Sequence, residues 1–207
     1  MRSVRVERET LDRTVSDEFK TICVNIRFCG EDKKAILLTS CSRKDAKDAV
    51  SLQLAVSMAE LGKKTLLLDA DLREGSLGSR VSESGAGLTD YLNGKAELGE
   101  IQCASDVPGL FVVTTGPLPP NSIDLLSGER FRAALDAFRG DYDYVIVNAS
   151  TLDVSVDAMV VASLCDGAVI VVKPDTVKRK DAREMKAKLV RSGCPILGAV
   201  MNGASAR

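Results

Sequence analysis

The chain of 207 residues has no histidine, no tryptophan and only three tyrosines. Without an imidazole, histidine-based acid–base and triad chemistry is excluded, so any catalysis has to rest on carboxylates, lysine and a metal. Six cysteines (23, 29, 41, 103, 165 and 194) are scattered with no CxxC pair. Zinc is therefore not expected, and buried reduced thiols are. A dominant charge is also missing: the net charge of −1 gives no basic footprint for nucleic acid. No apolar run approaches the roughly 18–20 residues of a membrane span, and the charged stretch 1–13 does not read as a signal peptide. The expectation from these absences is a cytoplasmic protein.

What is present is ordinary in bulk, with 45% hydrophobic and 28% charged residues, as in a soluble globular protein of one domain. Residues 1–14 read as a charged, solvated arm, and residues 15–207 as a single domain. Val15, Phe19, Ile22, Cys23 and Ile26 recur as a helical stripe. Short runs apolar on both faces follow at 35–38, 65–68, 110–113, 144–147, 168–172 and 196–200, the pattern of a parallel sheet covered by helices on both sides. Helical patterns lie between them at 46–61, about 127–138, about 155–164 and 178–191. This alternation predicts an α/β, doubly wound sheet, with residues 73–109 as loops and short helices at its carboxyl edge.

Between the first apolar run and the helix carrying Val50, Leu54, Met58 and Leu61 lies Thr39-Ser40-Cys41-Ser42-Arg43-Lys44-Asp45-Ala46-Lys47-Asp48. Strand, loop and helix are the context of a phosphate-binding loop, which needs glycines so that backbone N–H groups converge on an anion, and a hydroxyl after its lysine to hold Mg²⁺. Here Ala46 precedes Lys47 and Asp48 follows it. Lys47 is a candidate phosphate ligand; the alternative is an exposed Lys47–Asp48 charge pair. The run Leu66 to Arg73 places Asp69 and Asp71 at the carboxyl end of a buried strand, where α/β sheets bind ligands. They are candidates to support Mg²⁺ or to accept a proton from an attacking hydroxyl; the alternative is a strand-end aspartate capping a turn. From Lys173 to Arg183 run five basic residues, read as a solvated helix start in preference to a contact with an acidic membrane or partner.

With these motifs the chain resembles the bacterial tyrosine kinases of the capsule and exopolysaccharide type, part of the deviant-Walker ATPases that include cell-division and partition ATPases. The resemblance covers about Ser16 to Asn202. It rests on Leu61-Gly62-Lys63-Lys64 with Leu67 to Arg73, on Gly87 to Leu92, on Gly116-Pro117-Leu118-Pro119-Pro120-Asn121, on Tyr142 to Val147, and on Gly198 to Asn202. It implies a P-loop fold, ATP and Mg²⁺ as cofactors, and a membrane-embedded co-polymerase or chain-length protein as partner, with homo-oligomers possible in the family. It also implies Lys47, Asp48, Arg73 and Asn202 as nucleotide-binding candidates, Asp69 and Asp71 as catalytic candidates, and Asp48 and Asp71 as metal candidates.

The departures fall at the chemistry. Alanine or lysine held at positive φ in place of the family's glycines costs roughly 1–2 kcal/mol each. Asp48 stands where the family has a hydroxyl, and Asn148 where it has the Walker-B aspartate. A carboxylate 4 Å from a phosphate charge is opposed by roughly 4 kcal/mol at an effective dielectric of about 20. The chain ends Asn202-Gly203-Ala204-Ser205-Ala206-Arg207 with no tyrosine cluster, and Tyr91, Tyr142 and Tyr144 read as structural. The family's ring-forming acid and two arginines read here as Asp17, Lys20 and Cys23, on a helix expected to pack on the sheet. The expectation is a degenerate kinase homologue, a pseudokinase. The alternatives are an active Mg²⁺–ATP-dependent tyrosine kinase with an unusual loop, and, less favoured, a partition-type switch.

Overall fold

A run of Val, Ile and Leu with no polar face is satisfied only inside a sheet covered on both sides, and these runs form its centre. The structure, a computed structural model, describes residues 2–7, 11–82, 85–152 and 156–203, apart from the side chain of Ser76. The strands are β1 (Arg2–Val4), β2 (Ala35–Ser40), β3 (Thr65–Asp69), β4 (Cys103–Ser105), β5 (Leu110–Val113), β6 (Tyr144–Asn148), β7 (Gly167–Val172) and β8 (Ile196–Met201). The helices are α1 (Arg13–Phe28), α2 (Lys47–Glu60), α3 (Leu88–Leu92), α4 (Ser122–Ser127), α5 (Glu129–Asp141), α6 (Asp157–Ala162) and α7 (Arg179–Arg191).

The sheet runs β1-β4-β5-β3-β6-β2-β7-β8. From β5 to β8 every neighbouring pair is parallel. The fold is thus α/β with a mostly parallel, doubly wound sheet. Side chains of alternate residues feed two apolar layers. Leu37, Leu66 and Leu68 pack with Phe131, Leu135, Phe138 and Leu189 of α5 and α7. Ile36, Leu38 and Leu67 pack with Cys23 and Ile26 of α1 and Val50, Leu54 and Met58 of α2. Register sets the site: Asn148 is level with Leu38 on one side and Asp69 on the other, so three strand ends reach the carboxyl edge together.

Three expectations change. The segment read as a solvated arm is docked where it is described: β1 pairs parallel with β4, and Val4 and Val6 are buried. The alternation of valine with charge in Val4-Arg5-Val6 is a half-buried strand pattern, hidden by the charged composition around it. Second, β4 is a strand inside the region read as loops and short helices, and it turns antiparallel to β5. Third, the helix read at about 127–138 is α5, starting at Glu129, and a further short helix, α4, precedes it outside the range read from the sequence; Gly128 leaves helical geometry (φ −72°, ψ 159°) between the two. The start of the helix read at 155–164 and the tail 204–207 lie outside the described residues. Five cysteines are buried as expected, whereas Cys29 is exposed at the end of α1. On α1, Lys20 pairs with Asp17 at 3.2 Å and Cys23 is buried against α2, so the helix expected to pack on the sheet has α2 as its main neighbour. The tyrosines at 91, 142 and 144 are all buried.

Candidate functional site

After β2 the chain does not wrap into an open cradle. Ser42 caps a single 3₁₀ turn, Arg43–Asp45, in a capping box: its hydroxyl accepts from Lys44 N (3.3 Å), and Asp45 Oδ2 accepts from Ser42 N (2.9 Å). The amides of Asp45 and Ala46 donate to Ser42 O and Arg43 O at 3.1 and 3.3 Å. Loop amides that a phosphate would draw inward are therefore satisfied by the loop itself. Ala46 takes the left-handed conformation expected of a glycine position (φ 54°, ψ 42°). Lys44 does not, because the capping box holds it within the turn, so the strain falls on one residue. Asp45, fully buried, also fastens the loop to the turn after β7, where its Oδ1 accepts from Lys173 N and Thr176 Oγ1, both at 2.9 Å.

Lys47 opens α2 and is 2% exposed, which removes the alternative of a solvated charge pair. Its ammonium donates to Asp48 Oδ1 (2.7 Å), Asp71 Oδ2 (3.1 Å) and Asn148 Oδ1 (3.3 Å). An ammonium has three N–H donors, and all three are engaged. Burial pulls its pKa down, but the charges of Asp48 and Asp71 outweigh this and hold it above the ordinary lysine value. Asn148 works at both ends. Its Nδ2 donates to Asp48 Oδ1 (2.9 Å) and Asp69 Oδ1 (3.0 Å), while its Oδ1 accepts from Lys47 and from Ser51 Oγ (3.2 Å). A carboxylate at 148 could make neither donation. Asp69 also accepts from the amides of Asp71 (3.2 Å) and Leu77 (3.3 Å). Burial nevertheless pushes its pKa up to about 7, against the opposing pull of Asn148 and Lys47. Asp71 Oδ1 is buried with no hydrogen-bond partner.

The structure thus brings Lys47, Asp48, Asp69, Asp71 and Asn148 into one cluster. The other two candidates lie outside it. Arg73 binds Asp157 through Nε (2.9 Å) and an NH2 (3.3 Å), and Ser122 Oγ donates to the same carboxylate (2.7 Å). Asn202 donates from Nδ2 to Asp45 O (3.0 Å) and so braces the loop from beyond β8. Three participants escape the sequence reading. Ser51 is legible afterwards as the residue one helical turn beyond Lys47. Asp45 carries only the weak local signal of a residue three after Ser42, as in a capping box, and its partners after β7, like those of Asp157, are distant in sequence.

Mg²⁺–ATP is the ligand implied by the fold, and the residues present fit it poorly. A polyphosphate would have to displace Asp48 from Lys47 and undo the turn at 43–46. The hydroxyl that would hold Mg²⁺ is replaced, and among the described residues no three acidic or thiol side chains converge as a metal-binding set. Within the cluster Asp71 Oδ1 is the buried carboxylate oxygen with no hydrogen-bond partner among the described residues.

No family model matches the chain. It is 36% identical over 192 residues to the tyrosine-protein kinase CpsD of Streptococcus agalactiae, covering 92% of this chain and 84% of that one. The kinase domain of VpsO superposes with a TM-score of 0.83 at 28% identity, covering 93% of this chain and 97% of that domain. The septum site-determining protein MinD of Pyrococcus horikoshii, solved with Mg-ADP, shares the fold with a TM-score of 0.70 at 21% identity, over 83% of this chain and 72% of that one. From this extent of sequence and fold likeness, the chain belongs to the bacterial tyrosine-protein kinases of the capsule and exopolysaccharide group.

Proposed function

We propose that this chain is a pseudokinase of that family, in which an internal ion-pair lock has replaced the nucleotide site. It regulates polysaccharide assembly from the cytoplasmic side by docking on a membrane-embedded co-polymerase. One observation carries the reading: the ammonium of Lys47, the group that would bind phosphate, is buried with every donor engaged by Asp48, Asp71 and Asn148. Supporting it, the loop amides at 45 and 46 bond within the loop, and Ala46 occupies a left-handed position. The fold that would present a docking surface is retained.

A second reading has an observation of its own. Asp48 and Asn148 touch at 2.9 Å, so the exchange of hydroxyl for carboxylate and of carboxylate for amide moves one acid a short distance and leaves the count unchanged. Together with the open oxygen of Asp71, this would favour an active kinase whose Mg²⁺ binds between Asp48 and Asp71.

Calorimetric titration with ATP and ADP, with and without Mg²⁺, separates the two. The pseudokinase reading expects no heat and no thermal stabilisation of the native chain at millimolar nucleotide. It also expects binding to appear in the triple variant Ala46→Gly, Asp48→Thr, Asn148→Asp. Micromolar, Mg²⁺-dependent binding by the native chain would overturn it in favour of the active kinase.

A further inference from the structure

The residues from Lys173 to Arg191 carry eight cations against three carboxylates, a local excess of five positive charges. The whole chain has a net charge of −1, so the remainder stands at −6. Within this segment α7 carries six of the eight cations. Met185 and Leu189 turn one face of α7 into the core. Arg179, Arg183, Lys186 and Val190 follow at steps of four, three and four, which aligns them along one outward stripe. All four are exposed, Val190 at 61%, and Ala187 beside them is exposed as well. Lys180 and Arg191 flank the stripe, both exposed. The helix's two acids lie off it: Glu184 faces Lys180 at 3.8 Å, and Asp181, three residues before Glu184, lies on the same side of the helix, turned away from the stripe.

We infer that this stripe binds the anionic surface of a phospholipid bilayer. An amphipathic helix lying on such a surface presents Lys and Arg to headgroups and an aliphatic side chain to the interface. Here the cations surround Val190 and no carboxylate interrupts them. The excess negative charge of the remainder orients the molecule with α7 inward, since like charge is repelled from the same surface. The contact is peripheral, because no helix among the described residues is long and apolar enough to cross a membrane. The inference goes beyond the partner docking proposed above, since it requires lipid alone.

The test is co-sedimentation of the full chain with vesicles of phosphatidylcholine, alone or with about 30% phosphatidylglycerol, at about 0.1 M and about 0.5 M salt, where screening lengths differ about twofold. Partition is expected only onto the phosphatidylglycerol vesicles, and it fades at the higher salt. Removing two cations worth about 1 kcal/mol each, as Arg183→Ala with Lys186→Ala, weakens partition roughly 30-fold. Val190→Asp weakens it as well. The control pair Lys95→Ala with Arg132→Ala, exposed cations elsewhere, leaves it nearly unchanged. All these positions are exposed, so thermal midpoints check that each variant folds. Equal binding to neutral vesicles, full binding by the α7 variants, or an equal loss in the control pair overturns the inference. So does binding of a polyglutamate peptide with none to vesicles, which would make the stripe a protein contact.

Discussion

Asn148 sits between Asp48 and Asp69 and donates to both. A third ionised carboxylate there would face two others in a dry site, which is the reason to read Asp48 and Asn148 as one coupled change. Sequence alone shows both substitutions and places both near Lys47, so the composition of the cluster is legible. Its wiring is not, since a side-chain amide can point either way and only the surrounding donors fix it. Asp69 carries the clearest consequence. Its proton is held to about pH 7 in the folded chain, whereas an unfolded aspartate loses it near pH 3.9. Between those values the folded state binds the extra proton, so stability falls as pH rises through about 4 to 7 and then levels. The predicted loss is on the order of 4 kcal/mol. Urea midpoints of the native chain and Asp69→Asn, compared across that window, should diverge in the variant's favour as pH rises. Parallel curves would mean that Asp69 ionises normally.

At the scale of elements, the central strands were readable because both faces are apolar, and the order of motifs gave the parallel crossovers. β1 and β4 were not: the three residues Cys103-Ala104-Ser105 of β4 fall below any periodic signal, and the alternation at Val4-Arg5-Val6 is hidden by its charged neighbours. The loop was half legible: its missing glycines predict a left-handed alanine, which Ala46 bears out, but not the 3₁₀ turn that spares Lys44. That turn depends on Asp45, whose contacts reach the segment after β7. Asp45→Ala would leave the amides of Ser42 and Lys173 without their acceptor, while the hydroxyl of Thr176 keeps Lys173 O at 2.8 Å. At about 1 kcal/mol or more for each orphaned amide, the expected cost is about 2 kcal/mol. Amide exchange at Ser42 and Lys173 should accelerate far more than at Leu37 in β2. Uniform acceleration would instead indicate global loss of stability without a local clasp.

For the molecule as a whole, the two margins of the sheet differ. On the β1 side the chain closes its own edge, with Val4 and Val6 buried and Val6 N bonded to Asp106 Oδ1 at 3.0 Å. Deleting residues 1–7 removes the burial of these valines, worth about 1.5–3 kcal/mol each at most, so the unfolding free energy should fall by up to about 3–6 kcal/mol and the urea midpoint with it. An unchanged midpoint would reduce the segment to an appendage. On the opposite side, β8 pairs only with β7 in the sheet order, and along Ile196–Met201 it carries no charge, while Gly198, Ala199 and Met201 are exposed. Natural sheets usually blunt such a margin with lysine, proline or a covering segment. Among the described residues no strand pairs with the outer edge of β8, and unpaired amides and carbonyls of such an edge are a template for another strand, so sedimentation of concentrated solutions is expected to show edge-to-edge association.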